Sequence, residues 1–194
     1  MWTQILPALR IKIFMTILLG VIYPLAITGI CQVLFPHQAN GSLIIAGNRV
    51  IGSEIIGQNF TKPEYFEPRP SAAGAAGYDA SASAASNYGP TNQKLIDRVK
   101  ASVDKFRKEN PDYTGPIPAD LLTASASGLD PDISPDGAHA QAQRIAKARG
   151  VSVDDVNQVI AQYTKRPDLG LLGEPRVNVL KLNLALDRQF PKKQ

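Results

Sequence analysis

A chain of 194 residues, 44% hydrophobic and with a formal net charge of +4, is long enough for one core and too short for two. Arg10 and Lys12 carry half of that charge; without them 19 Lys/Arg face 17 Asp/Glu, too even a balance for a nucleic-acid surface, which needs basic residues gathered in a patch. The single cysteine, Cys31, rules out an intramolecular disulfide, and with His37 and His139 as the only histidines there are too few ligands for a Cys/His zinc site.

The first element is apolar. No charge falls between Ile13 and Phe35, and a helix of that length covers roughly 35 Å, enough for a ~30 Å hydrocarbon core. A cleavable signal peptide has a shorter apolar region and small residues at its exit. This run leaves through Phe35-Pro36-His37-Gln38 instead, so a retained membrane anchor is expected. Arg10 and Lys12 precede it, and the next basic residue is Arg49. Basic residues stay on the cytoplasmic side, which puts the N-terminus inside and the rest outside. The expected division is a flank over 1–12, a membrane helix over 13–35 and a soluble domain over 36–194. Thr16, Gly20, Pro24 and Thr28 recur at every fourth position, a narrow strip suited to close approach of a partner helix. Pro24 conflicts with the carbonyl four residues back, that of Gly20.

Leu43-Ile44-Ile45 and Val50-Ile51 flank Ala46-Gly47-Asn48-Arg49 and predict a β-hairpin just past the anchor, running on towards Ile55-Ile56. Asn59 to Pro70, with three prolines and three aromatics, reads as ordered but irregular. Residues 71–90, nearly all Ala, Ser and Gly up to Asn87, read as a flexible loop unable to build a core.

Helices follow. Thr91 is placed to cap one with apolar residues Leu95, Ile96, Val99, Val103 and Phe106, ending at Asn110-Pro111. Its basic residues alternate with Asp97, Asp104 and Glu109 and read as a solvated face. Ser134, Pro135 and Asp136 open a second helix that Gly150 closes, with Arg144, Lys147 and Arg149 in its later turns. Ser152 opens a third, with Val151 and Val156 spaced as a staple, a stripe of Val156, Val159, Ile160 and Tyr163, and Pro167 as its stop. Val177 to Leu186 alternates at first, then follows helical spacing, and is read as a last helix. The fold class is α+β: one membrane helix, then a mixed, mainly helical soluble domain with a hairpin near the membrane.

Motifs for phosphate cradling, nucleophile turns and metal helices are missing, so no catalytic and no metal residues are assigned. Ser125, Ser127 and Asp130 offer hydroxyls and a carboxylate, with no histidine or lysine beside them to activate a nucleophile. They read as a polar turn before the Ser134 cap, or as an anion or partner contact. Gln141 and Arg144 share a helix face. Both could reach a partner's carboxylate or phosphate; they also read as surface residues, or as packed against the loop before the helix.

Five stretches carry a resemblance. They are Gly52-Ser53-Glu54-Ile55-Ile56-Gly57-Gln58, Tyr65-Phe66-Glu67-Pro68-Arg69-Pro70-Ser71-Ala72, Ser86-Asn87-Tyr88-Gly89-Pro90-Thr91-Asn92, Leu122 to Pro131, and Gly173-Glu174-Pro175-Arg176-Val177 running on to Asp187. In this order, behind one N-terminal membrane helix, they resemble the C-subunit family of bacterial Kdp potassium-transporting ATPases over nearly the whole chain. The resemblance implies a non-catalytic subunit in the inner membrane. Its implied partners are a channel-like potassium-binding subunit, a P-type ATPase subunit and a small membrane peptide, besides membrane lipid. It implies no tightly bound cofactor; ATP enters only through the complex, whose pump subunit this family is described as helping to bind ATP. The D-K-T-G phosphorylation motif of the pump is missing, since Asp104-Lys105 continues with Phe106. Ala84-Ala85 stand where the family often has glycines, which weakens any nucleotide-contacting loop there. The flanking charges favour a domain outside the cell, acting through its membrane helix or over the potassium entrance rather than touching ATP.

Overall fold

In the computed structural model, which describes residues 2–191, the apolar run forms a single long helical stretch, Thr3–Leu34, with no part of its most apolar window buried within the chain. It begins further back than Ile13: α1 spans Trp2–Ile17 and α2 spans Tyr23–Leu34, joined by a wider π-helical turn over Leu18–Ile22. Arg10 and Lys12 therefore ride on α1 itself. Pro24 explains the wide turn. Its ring has no N–H to give the carbonyl of Gly20 and crowds it, and the chain relieves this by letting Tyr23 N–H reach back to Leu18 O. A short α3 (Pro36–Ala39) follows.

The chain divides into two compact units between Ile51 and Gly52. The expected hairpin forms from β1 (Leu43–Ala46) and β2 (Arg49–Ser53), turned by Gly47-Asn48 alone, with the division falling inside β2. The strand stops at Ser53 and does not reach Ile55.

The second unit is built on helices α5 (Pro135–Arg149), α6 (Val153–Tyr163) and α7 (Val179–Gln189), with a three-stranded antiparallel sheet of order β3-β5-β4. The strands are very short: β3 is Asp132–Ile133, β4 is Thr164–Lys165 and β5 is Arg176–Asn178. Asp132 pairs with Asn178, and Lys165 with Arg176. The caps are those the sequence announces: Ser134 Oγ accepts from Gly137 N–H, Gly150 closes α5 at φ +68°, and Ser152 and Asp155 form a reciprocal capping box. Two ends differ. Helix α6 stops at Tyr163, four residues before Pro167, because Thr164 and Lys165 leave to pair with β5. Residues 176–178 are strand, and Asn178 caps α7 by accepting from Lys181 N–H.

Ile133, Ala138, Ile145, Val156, Val159, Ile160, Val177, Leu182 and Leu186 form the core, joined by Phe66 from the irregular segment. Helix α4 (Gln93–Glu109) is capped by Asn92 rather than Thr91, because the side-chain Oδ1 of Asn92 is the one that accepts from Lys94 N–H. Only Phe106 of its apolar stripe is fully buried.

Candidate functional site

Residues 63–67 leave a turn, in which Tyr65 N–H reaches Lys62 O at 3.0 Å, and run on irregularly to Pro68, so no regular ladder satisfies them. Side chains do it instead, one carbonyl after another. Arg144 donates to Pro63 O at 2.6 Å and Tyr65 O at 3.1 Å, and Arg149 to Glu64 O at 2.8 Å. Asn183 donates to Phe66 O at 3.0 Å and Gln141 to Glu67 O at 3.1 Å. The same two amides also accept, from Phe66 N–H and Glu67 N–H, both at 2.8 Å. Each therefore pairs with a backbone residue as a neighbouring strand would. Gln141 and Asn183 are both only 1% exposed, placed there by the apolar faces of α5 and α7. Arg144 further holds Asn110 Oδ1 and Gln141 Oε1, and burial pulls its guanidinium below the usual range. Gln141 and Arg144 thus face the preceding segment, with their hydrogen-bonding capacity directed inward. Asn183 and Arg149 do the same work and were not singled out in the sequence. A lone amide in Leu180-Lys181-Leu182-Asn183-Leu184, on the face that Val179 and Leu186 bury, was the available signal.

The segment continues into Arg69, whose guanidinium pairs with Asp130 at 2.8 Å. Its Nε is buried and has no hydrogen-bond partner among the described residues. The loop from Ser71 on is stitched rather than loose. Ser71 Oγ donates to Gly128 O at 2.6 Å and accepts from Tyr78 N–H at 2.8 Å, Arg98 donates to Ser71 O, and the Tyr78 hydroxyl donates to Arg69 O. Burial pushes the Tyr78 hydroxyl pKa well up, helped by the charge of Asp130. Ala73 is fully buried and Ala84 N–H reaches Ser127 O. A loop of small residues can pack this closely because it has so little side chain to place.

Ser125 and Ser127 lie opposite, their hydroxyls 3.3 Å apart and accepting from Gly128 and Leu129 N–H respectively. Gly128 sits at φ +67°, and a Cβ there would come within 2.7 Å of Ala73 N and Ala84 O. Asp130 Oδ1 accepts from Asp132 N–H at 3.0 Å. Asp132 in turn meets Arg176 Nε at 3.2 Å and accepts from Asn178. Burial and the neighbouring Asp130 charge raise the Asp132 pKa. Arg69, Asp120, Asp130, Asp132, Glu174 and Arg176 line an open recess of about 240 Å³. Ser125 and Ser127 share one turn, Asp130 lines the recess with Arg69 and Arg176, and Gln141 and Arg144 belong to the clasp around 63–67. Chemically, the recess offers paired charges of both signs for docking a polar group.

Thr16, Gly20, Pro24 and Thr28 are all exposed on the membrane helix. A Cβ at Gly20 would meet only Thr16 Cγ2, at 3.9 Å, among the described residues, and none of these requires the glycine.

Compared with known proteins, residues 5–188 match the family described as KdpC: K+-transporting ATPase, c chain. A potassium-transporting ATPase KdpC subunit of Myxococcus xanthus is 54% identical over 98% of this chain and 90% of its own length. Those of Rhodospirillum rubrum and Caulobacter vibrioides are each 56% identical, covering 95% and 98% of this chain and 95% and 96% of their own lengths.

Proposed function

The chain belongs to the KdpC family of potassium-transporting ATPase C chains, and on that premise we propose that it acts as a non-catalytic accessory subunit. It assembles with a channel-like potassium-binding subunit, a P-type ATPase subunit and a small membrane peptide. There it supports assembly, raises the apparent ATP affinity of the ATPase subunit and so serves potassium import. The observation that supports this reading best is the inward use of polar groups: Gln141, Arg144, Arg149 and Asn183 hold the backbone of 63–67, and Ser125 and Ser127 hold their own turn. Such a domain presents a fixed surface to partners.

In this reading the helix Thr3–Leu34 crosses the bacterial inner membrane, and at 1.5 Å per residue it exceeds a ~30 Å core by several turns. The excess carries Arg10 and Lys12, which favours a cytoplasmic N-terminus and an extracytoplasmic domain. That placement also supports a second reading, a cap over the potassium entrance with no role in ATP binding. The two separate by steady-state ATPase activity against both ligands, with Asp130→Ala and Arg176→Ala in the assembled complex. Coupling energies of ~1–3 kcal/mol correspond to about 5–150-fold changes in apparent affinity, while maximal turnover changes little. An ATP shift supports the first reading; a potassium shift alone supports the cap. A thousandfold fall in maximal rate, with assembly and affinities intact, overturns the non-catalytic assignment.

A further inference from the structure

The connection between β4 and β5 ends in an apolar finger. Leu169, Leu171 and Leu172 are 90%, 87% and 62% exposed, within four consecutive residues. Asp168 and Leu172 close the finger by exchanging two backbone hydrogen bonds, both 2.9 Å. Its base is firm: Lys165 pairs with Arg176 across the strands, and Asp168 lies 2.9 Å from the Lys165 ammonium and 3.8 Å from the Arg176 guanidinium. At the tip Leu169 adopts φ +54°, a left-handed conformation that bulky L residues avoid. A leucine here gains no burial and bears backbone strain, so the fold has no use for it. Strain of this kind points to a use outside the fold. Beside the base lies an open groove of about 590 Å³ that shares Lys165 and Arg176 and is lined further by Ile55, Tyr163 and Lys181. Knob and groove therefore share one edge.

We propose that the Leu169–Leu172 finger is an anchor that enters an apolar slot on another subunit of the potassium-transporting ATPase, a slot rimmed by carboxylate for Arg166. This deepens the accessory-subunit reading and rests on it. Three features choose the occupant. The chain belongs to a family of subunits, so other subunits are present to dock against. The rim holds charges of both signs, with Asp168 and Glu174 within two residues of the leucines; an anionic bilayer surface wants a basic face without them. Arg166 is exposed and in no ion pair among the described residues. Three leucines offer roughly 200–350 Å², less than half of the ~800 Å² per partner of a stable interface. A second copy meeting tip to tip is thereby too small a contact. The finger is instead the desolvated centre of a larger heterologous surface.

The test places p-benzoylphenylalanine at position 171 of the full chain in native membranes, irradiates, and identifies adducts by mass. An adduct with another subunit of the ATPase is expected. A parallel variant, Leu169→Asp with Leu171→Asp, should fold normally and be retained by the purified complex at least tenfold less well, with Leu171→Met retained like wild type. Adducts to lipid or to a second copy alone overturn the proposal, as does undiminished retention of the double variant; both leave the accessory reading standing. A wild-type chain that copurifies with no ATPase subunit overturns that reading and the finger with it.

Discussion

Asn183→Leu tests the central feature of the domain, the capture of an irregular segment by buried amides. Leucine has nearly the shape of asparagine and neither a donor nor an acceptor. The substitution leaves Phe66 N–H and Phe66 O without the partners they hold at 2.8 and 3.0 Å, at a residue 1% exposed beside a fully buried Phe66. A buried polar group stripped of its partner costs about 1–3 kcal/mol, so two cost about 2–6 kcal/mol, against a total stability of ~5–15 kcal/mol. Pulse proteolysis in urea, on the full chain in micelles, reads this as a midpoint. With a slope near 2 kcal/mol per molar, the midpoint falls by about 1–3 M. Asn183→Asp sharpens the test. A carboxylate keeps the bond from Phe66 N–H but turns a charge towards Phe66 O, so burial raises its folded pKa above the unfolded value. Its penalty is absent below the unfolded pKa and grows as pH rises towards the folded one, so relative to wild type this variant is worst at neutral pH. A midpoint for Asn183→Leu within 0.3 M of wild type would refute the capture argument.

Gly128→Ala forces a Cβ to within 2.7 Å of Ala73 N and Ala84 O at φ +67°; a loss of about 2 kcal/mol or more is expected in the same assay. Gly20→Leu puts its Cβ in ordinary contact with Thr16 Cγ2, at 3.9 Å, so the soluble domain should unfold as in wild type while copurification with partner subunits weakens by about 1–2 kcal/mol. Burial and then the Glu67 charge raise the Glu109 pKa. The folded state therefore binds its proton more tightly, and stability falls as pH rises through that range. Glu109→Gln should flatten this part of the pH–stability curve, measured by urea midpoints between acid and neutral pH.

The sequence was most legible where structure is local. Ser134-Pro135, Gly150 and the Ser152–Asp155 box mark helix ends through bonds that span three or four residues, and the hairpin turn lies in two residues. It was least legible where partners are distant. Thr164-Lys165 continues the α6 pattern until β5 offers a strand partner. Nothing in residues 71–87 announces that Ser71 and Ala84 will meet residues 127 and 128. Among the site candidates, the serine turn was readable as a turn, while Gln141 and Arg144 looked available because their partners lie some 74–81 residues away. Arg69, Arg149 and Asn183 were missed for the same reason. The exposed leucines carry no signal in the sequence, because exposure is not a property of a four-residue string.

The clasp around residues 63–67 also sets an order of events during biosynthesis. Phe66 is held by a side chain 117 positions downstream, and Arg149 by the backbone of Phe190. Contacts of such sequence separation form late, since a long loop must close before it is rewarded. The ribosome must therefore deliver almost the last helix before the early segment can settle. Until then the emerging polypeptide has no finished core, a condition that suits the proposed topology, in which the N-terminal helix enters the bilayer first and the remainder has yet to be threaded across.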